Sequence, residues 1–333
     1  MTDASDDKAP LASYEAFKAV FRSEIAPDLS ALERERTSAS DRAARAFLMC
    51  LPIYLFLGAL WWLDAVPWWA GLGGILLAMW IGSAWRATIW DAFLASWKPR
   101  VINRIVKAVH PDLTYKPTGG IAATEFIGTR IFNERVDRYG CEDEVSGWIG
   151  KTQLRCSEVL AEHKTETRDS NGHRRTQWHT IFRGWFVLVD FHKEFTGEFV
   201  VLPDTAESTF GGFGRWLQSM NASRDSVIRM DDPEFEKAFV VYGTDQVEAR
   251  YILTPALMQR ILAVRKRSGS GLHIGFTQSI MCLAIPRSRD AFEPEKDKSL
   301  LNPETHRQNV EDLIFITGLV EDLNLNTRIW SKR

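Results

Sequence analysis

The sequence predicts an α+β protein whose soluble domain is attached to a two-helix transmembrane hairpin. Three observations lead to that fold class. Between Ala46 and Trp85 the only charged side chain is Asp64. After residue 110 the pattern becomes that of strands, with a hairpin turn signal at Asn171-Gly172. Amphipathic helical patterns with capping residues then fill the last third of the chain.

Residues 1–45 are predicted to form a cytoplasmic segment with one amphipathic helix. Apolar residues recur at steps of three and four, which places them on one helix face. Pro27 is expected to break or bend this helix because it lacks a backbone N–H. The face needs a partner: the soluble domain, another copy or the membrane surface. Mixed charges on the opposite face favour packing on protein. The apolar residues are Phe17, Val20, Phe21, Ile25, Leu29 and Leu32.

The apolar region 46–85 divides at Asp64 into the stretches 47–63 and 66–85. A helix needs roughly 20 residues (range about 17–25) to cross the hydrocarbon core of a bilayer, and both stretches reach that range. Backbone groups inside lipid must be hydrogen-bonded within the segment, so both stretches must be helical. The alternative, a helical hairpin buried in a soluble core, is disfavoured by these lengths.

The charges around this hairpin predict its orientation. Basic residues flank both outer ends, whereas the turn carries only Asp64. Positive charge near membrane ends is retained in the cytoplasm, so we expect a multi-pass protein of the bacterial inner membrane with both termini cytoplasmic. Four cysteines without zinc-binding spacing agree with a reducing compartment. The basic residues are Arg34, Arg36, Arg42, Arg45, Arg86, Lys98, Arg100, Arg104 and Lys107.

The hairpin has the composition of an anchor. No ionisable residue lies inside either stretch, which argues against an ion or proton path. Gly71, Gly73, Gly74 and Gly82 permit close contact within the hairpin or between copies, so the chain can form homo-oligomers. The net charge of −2 gives no sign of nucleic-acid binding. The expected partners are therefore the lipid bilayer and a membrane or cytoplasmic protein.

Residues 86–110 are predicted to form a basic juxtamembrane helix that ends at His110-Pro111, because proline disfavours helix at the residue before it. Its charges set the topology or lie against anionic headgroups, and the first role is favoured.

Residues 111–333 are predicted to form a cytoplasmic α+β domain with an antiparallel sheet and packing helices. Strands near 152–165, 178–191 and 195–202 would form a three-stranded meander. The apolar run 185–189 is typical of a strand buried on both faces. Helices are expected to begin at Asp232-Pro233, Thr254-Pro255 and Asn302-Pro303, and a further hairpin near 272–276 and 280–285.

Two sequence blocks carry a family resemblance. The first comprises residues 182–197 and 201–204, and the second comprises 232–239 and 241–255. Both resemble a family of bacterial membrane proteins catalogued as domain of unknown function 3137, over most of residues 100–290. The resemblance implies an N-terminal hairpin anchor and a cytoplasmic α+β domain. It implies no catalytic residues.

Asp190 and His192 are candidate catalytic residues. They flank Phe191 and so share one face of a strand, where an Asp–His pair can orient a general base. The alternative is a strand end whose polar residues cap a turn. This alternative is favoured because the sequence marks no nucleophile or metal partner.

Asp245, Glu248 and Arg250 are candidate residues for binding a ligand or partner. They form a charged segment between apolar ones, after a turn at Gly243. The structural alternative, helix capping plus a salt bridge, is favoured by the usual capping rules. The glycine-rich segment 211–214 lacks the context of a phosphate-binding loop and is interpreted as a flexible loop.

The sequence shows no recognisable catalytic constellation, cofactor motif or metal motif. It favours an integral inner-membrane protein whose cytoplasmic domain binds a protein partner or small ligand near the membrane. The alternative is a membrane-associated enzyme that acts on a lipid-proximal or nucleotide substrate through Asp190 and His192. A third interpretation, a subunit of a transport complex, requires that the glycine-rich helix faces contact another membrane protein.

Overall fold

The computed structural model describes residues 13–49, 51–63, 67–168, 174–191, 193–204, 226–268, 271–293, 298–323 and 325. It divides into two compact units. A helical unit contains Tyr14–Ile105 and Glu293–Val310, and a sheet unit contains Met1–Ser13, Val106–Phe292 and Glu311–Arg333. The predicted α+β class, with a large antiparallel sheet and helices, is confirmed.

The helical unit is built mainly from two long helical segments. Its elements are α1 (Tyr14–Val20), a π-helical turn (Phe21–Ile25), α2 (Ala26–Met49), α3 (Leu51–Trp62), α4 (Trp68–Val109) up to Ile105, and a 3-10 turn (Pro303–His306).

Pro27 changes the first helical segment locally and does not end it. Proline cannot donate a hydrogen bond to the carbonyl four residues earlier, and its ring would clash there. The chain widens into a π turn just before Pro27, in which the Ala26 N–H donates to the Phe21 carbonyl. Helix α2 then continues to Met49, so the expected break is absent.

The apolar face predicted for this segment is buried within the helical unit. Phe17 and Phe21 are fully buried, and Ile25, Leu29 and Leu32 are nearly so. Two ion pairs, Arg104–Asp28 and Arg100–Glu35, join α2 to α4. Residue numbers rise along one helix as they fall along the other, so the two helices are antiparallel. The face therefore packs on protein, as its mixed charges indicated.

Within the described part of the chain, one helix, Leu72–Val109, is long and apolar enough to cross a membrane. Helix α3 has 12 residues, fewer than the roughly 20 that a span requires. The predicted two-helix hairpin is thus not confirmed, and its turn at Asp64 lies outside the described residues. Helix α4 ends at Val109, before His110-Pro111, as the proline rule indicated.

The sheet unit is organised around a nine-stranded antiparallel sheet in the order β1-β2-β3-β4-β9-β8-β5-β7-β6. The strands are β1 (Leu113–Thr118), β2 (Arg138–Ile149), β3 (Thr152–Arg168), β4 (Arg174–Asp190), β5 (Phe199–Pro203), β6 (Ser226–Ile228), β7 (Phe239–Gly243), β8 (His273–Thr277) and β9 (Ile280–Pro286). The helices are α5 (Ala123–Gly128), α6 (Pro233–Ala238), α7 (Gln246–Ile252), α8 (Pro255–Ser268) and α9 (Arg307–Asp322).

The predicted three-stranded meander is wrong in its third strand. Strands β3 and β4 pair antiparallel from Leu154↔Val189 to Arg168↔Arg174, although the turn at Asn171-Gly172 lies outside the described residues. The other edge of β4 pairs with β9, and β5 lies between β8 and β7. The hairpin of β8 and β9 occupies the place that chain order suggested for β5. That hairpin itself was correctly predicted.

Strand β4 is buried on both faces along Trp185–Val189, as its continuous apolar run indicated. Gly184 precedes this run with a positive φ of 144°. A Cβ there would stand 2.3 Å from the carbonyl oxygen of Ile285 on β9. The close approach of β4 and β9 therefore requires glycine at this position.

The three predicted helix starts are all present. Asp232 accepts hydrogen bonds from the N–H groups of Glu234 and Phe235 at the start of α6. Asn302 caps the 3-10 turn that leads into α9, and the Thr254 hydroxyl accepts from Leu257 at the start of α8.

Candidate functional site

The first half of α4 exposes large apolar side chains. Leu76 and Leu77 are each 58% exposed and Trp80 is 68% exposed. A helix from the core of a soluble protein would be mostly buried, whereas very little of the most apolar part of this helix is buried. An exposed apolar surface of this extent is typical of a membrane or protein contact.

Two hydroxyl side chains of this half donate their hydrogen bonds within the helix. The Ser83 hydroxyl donates to the Trp80 carbonyl at 2.8 Å, and the Thr88 hydroxyl donates to the Ala84 carbonyl at 3.0 Å. A segment in lipid must make such internal bonds because no water is available there.

The second half of α4 has a buried face. Trp90 and Phe93 are mostly buried, and Trp97, Ile102 and Ile105 are completely buried. The Trp97 ring lies 6.4 Å from the ring of His306, whose other neighbour is Phe21 at 5.3 Å. Helix α4 thus has a first half whose apolar side chains are exposed and a second half whose apolar side chains pack in a core.

A second notable feature is a cluster of three carboxylates in the sheet unit. Glu142, Asp143 and Glu158 each place a carboxylate oxygen within 4.8 Å of the others. Asp143 is fully buried at a bulge in β2 and has a positive φ of 59°. The Tyr115 hydroxyl donates a hydrogen bond to Asp143, and burial together with that carboxylate raises the pKa of Tyr115.

The carboxyl of Glu158, in this cluster, has a raised pKa. Burial raises its pKa to about 7, and the nearby charges of Asp290, Asp143 and Glu142 act in the same direction. A hydrogen bond of 2.5 Å from the Ala291 N–H opposes the rise. Glu158 is therefore partly protonated near neutral pH, which lowers the negative charge of the cluster.

Only a weak signal for this cluster is present in the sequence. Three consecutive acidic residues, 142–144, interrupt the alternation expected of a strand, which is typical of a bulge. The approach of Glu158 depends on the pairing of β2 with β3, which local sequence does not reveal.

Asp190 is the last residue of β4 and is paired in register with Ile280. The next residue, Phe191, is buried, donates its N–H to the Ser279 carbonyl and packs edge-on against Phe276. His192 lies outside the described residues, as does the glycine segment 211–214. The Asp190–His192 pair therefore stays a prediction.

Hydrogen bonds to nearby backbone groups are formed by the side chains of Asp245, Glu248 and Arg250. Asp245 caps α7 by accepting from the N–H groups of residues 247 and 248 at 2.8 and 3.0 Å. Glu248 accepts from the N–H groups of Thr196 and Gly197 in the loop before β5. The Arg250 guanidinium donates to the Arg229 carbonyl at 3.0 Å. These contacts give each side chain a role in holding the fold.

Comparisons with known proteins add a family and one fold likeness. Residues 180–325 match the family described as Protein of unknown function (DUF3137), in agreement with the resemblance seen in the sequence. None of the curated proteins compared matches the chain. The structure is similar to the crystal structure of the mycobacterial trehalose monomycolate transport factor A, TtfA, at 9% identity and a TM-score of 0.31. The match covers 67% of this chain and 96% of that chain, and its TM-score is too low to support an argument about function.

Proposed function

We propose, from the match of residues 180–325 to the family described as Protein of unknown function (DUF3137) and from the surface of α4, that the protein is a membrane-anchored binding protein. Its anchor includes the first half of α4, and its sheet unit binds a protein partner or small ligand near the membrane. The observation that carries the proposal is the exposed apolar surface of α4 at Leu76, Leu77 and Trp80.

Two physical arguments support the anchor. Removing that apolar surface from water is favourable in proportion to its area, and lipid does so without a partner protein. The same helix has its second half packed in the helical unit, so the apolar half is attached to a folded structure.

Membrane fractionation with an alkaline carbonate wash tests the anchor. Wild-type protein is expected to stay in the membrane pellet. The double variant Leu76→Asp, Leu77→Asp should be extracted or lost, because a charge at the centre of a span costs about 2.5–3.5 kcal/mol on insertion scales. The matched control Ala92→Asp changes an exposed residue in the second half of α4 and should leave the protein in the pellet. Carbonate extraction of the wild type would contradict the anchor.

We also propose the finer topology that the charges suggested. The stretches 47–63 and 66–85 would form a two-helix hairpin in a bacterial inner membrane, with the segments 1–45, 86–110 and 111–333 cytoplasmic. The basic flanks and the lone acidic turn support this arrangement. Labelling of an Asp64→Cys variant in intact cells with a membrane-impermeant maleimide tests it, and a protected thiol would contradict it.

We also propose that the sheet unit binds a protein partner or small ligand. This is supported by its sequence, in which no set of catalytic residues is recognisable. Native mass spectrometry of the detergent-solubilised full chain, purified gently from its host, tests it. A protein retained at a fixed ratio, or a small molecule of defined mass, supports binding. A chain that carries neither contradicts it.

The copy number from the same spectrum tests self-association through the glycine-rich helix face. Among the described residues, no atom lies within 4 Å of the place where a Cβ of Gly73 would stand, so a second helix has room to approach at this position.

A further inference from the structure

The hairpin of β3 and β4 extends beyond its neighbours in the sheet. Pairing of β2 with β3 ends at Glu162, and pairing of β9 with β4 ends at Gly184. Beyond those points, in the part of the hairpin that the structure describes, β3 and β4 form strand pairs with each other alone. Two single hydrogen bonds, from the Arg287 N–H to the Arg183 carbonyl and from the Lys164 N–H to the Asp137 carboxylate, still tie the base of this ribbon to its surroundings. A two-stranded ribbon of this kind is marginally stable in water by itself.

Two histidines face each other across this ribbon. His163 on β3 is directly opposite His179 on β4, and their rings lie 5.0 Å apart at an angle of 18°. Thr165 and Gln177 form the next pair on the same face. Lys164 points to the other face because side chains alternate along a strand.

The hydrogen bonds around the pair leave one nitrogen on each ring available. The Thr165 hydroxyl lies 2.9 Å from His179 Nε2 and 3.5 Å from the Gln177 carbonyl oxygen. When the hydroxyl donates to that carbonyl, it accepts from His179 Nε2–H, which is the tautomer that a metal bound at Nδ1 requires. This assignment leaves the His179 Nδ1 lone pair free to bind a cation.

The second nitrogen is on His163. Its Nδ1 is shielded from solvent and has no hydrogen-bond partner among the described residues. A polar atom in that state costs free energy that a ligand can recover.

We propose that His163 and His179 form a binding site for a divalent transition-metal ion of the imidazole-preferring class, such as Zn²⁺, Ni²⁺ or Cu²⁺. The Nδ1 atoms of the two rings bind the metal after small rotations of the rings, and water fills the other coordination positions. Neutral imidazole is the commonest protein ligand of these ions. The Thr165 hydroxyl matches the outer partner that usually orients a metal-binding histidine.

The metal would cross-link the two strands of the ribbon. An ion that binds the paired strands and not the separated ones stabilises the pairing. Arg175, further along the same face, is the one cationic side chain among the described residues of that face beyond His179. The two histidines lie 16 positions apart in sequence, so only the cross-strand register brings them together.

The full chain, purified in detergent without a histidine tag, is titrated with Zn²⁺ against a chromogenic chelator. The wild type is expected to bind one ion per chain, and His163→Gln and His179→Gln should each weaken binding at least tenfold. The control variant His110→Gln removes an imidazole at the end of α4 and should leave the affinity unchanged. Equal affinity in the wild type and the two ribbon variants would overturn the proposal.

A measurement on the wild type keeps the test independent of how the variants fold. Electron spin echo spectroscopy of the chain loaded with one equivalent of Cu²⁺ counts the coordinated imidazoles. Two coordinated imidazoles, with one remaining in His179→Gln, support the site. Fewer than two in the wild type would overturn it.

Discussion

Glu158 makes the stability of the sheet unit depend on pH. Its pKa is raised in the folded protein from an ordinary 4.5 to about 7, so between those values the folded state holds a proton that the unfolded state has lost. The contribution of Glu158 to stability is therefore fully present below about pH 4.5 and is lost as the pH rises through about 7.

Replacing Glu158 with Gln removes this dependence. Because Gln can still accept from the Ala291 N–H, we expect Glu158→Gln to stabilise the protein at pH 8 by about 1–3 kcal/mol and to change little at pH 4.5. Denaturant unfolding at the two pH values measures the effect. Glu304→Gln, at an exposed residue, is the control. It should leave the difference in unfolding free energy between the two pH values unchanged. A variant with the same pH dependence as the wild type would show that Glu158 is not the titrating group.

Gly184 is a second residue whose role the structure makes testable. Gly184→Ala should destabilise the sheet unit by more than about 1 kcal/mol, because its positive φ and the carbonyl of Ile285 both exclude a Cβ. Gly140→Ala, in β2, is the matched control, since no other residue that the structure describes places an atom within 4 Å of its would-be Cβ, its chain neighbours aside. Chemical denaturation compares the two, and equal midpoints would contradict the steric argument.

Sequence reasoning succeeded best for residues with purely local roles. Asp232 and Asn302 cap the elements they precede, and Asp245 caps α7. The bulge at Asp143 and the pairing of His163 with His179 depend on strand register, which is set by distant contacts. Local pattern therefore could not place them.

At the scale of elements, α4 depends on a few large side chains in its second half. Trp97 is fully buried, and no described group accepts a hydrogen bond from its indole N–H. Trp97→Ala should destabilise the helical unit by about 3–5 kcal/mol, because it leaves a large cavity.

The conservative variant Trp97→Phe separates packing from polarity. It should cost clearly less than Trp97→Ala, because the ring keeps most of its contacts and the lost N–H has no partner among the described residues. Hydrogen exchange of the amides of α2 and α4 reports the change in the helical unit. Equal protection in both variants would show that packing of Trp97 does not hold the helices together.

Element types were predicted better than element pairing. The helix starts and the hairpin of β8 and β9 follow from turn and capping residues close to them. The neighbour of β4 is β9, which the chain reaches only much later, so no local signal identified it. The apolar face of α1 and α2 was evident, whereas the π turn before Pro27 was not.

At the scale of the molecule, the sequence predicted the α+β class and an apolar helix, and both are present. The second membrane helix is not confirmed, because the described residues of α3 are too few for a span. The proposed function depends on surface properties: the exposure of Leu76, Leu77 and Trp80 favours an anchor over a core helix.

The strand order also determines how long the edge of β4 stays unpaired during biosynthesis. Strand β4 ends at Asp190, but its partner β9 ends only at Pro286. Ribosomes add about 5–20 residues per second, so the open edge of β4 waits about 5–20 s for that partner. During this interval the apolar segment of α4 has already been synthesised and can insert into lipid. Early insertion would keep nascent chains apart while an unpaired strand edge, the usual template for aggregation, is exposed.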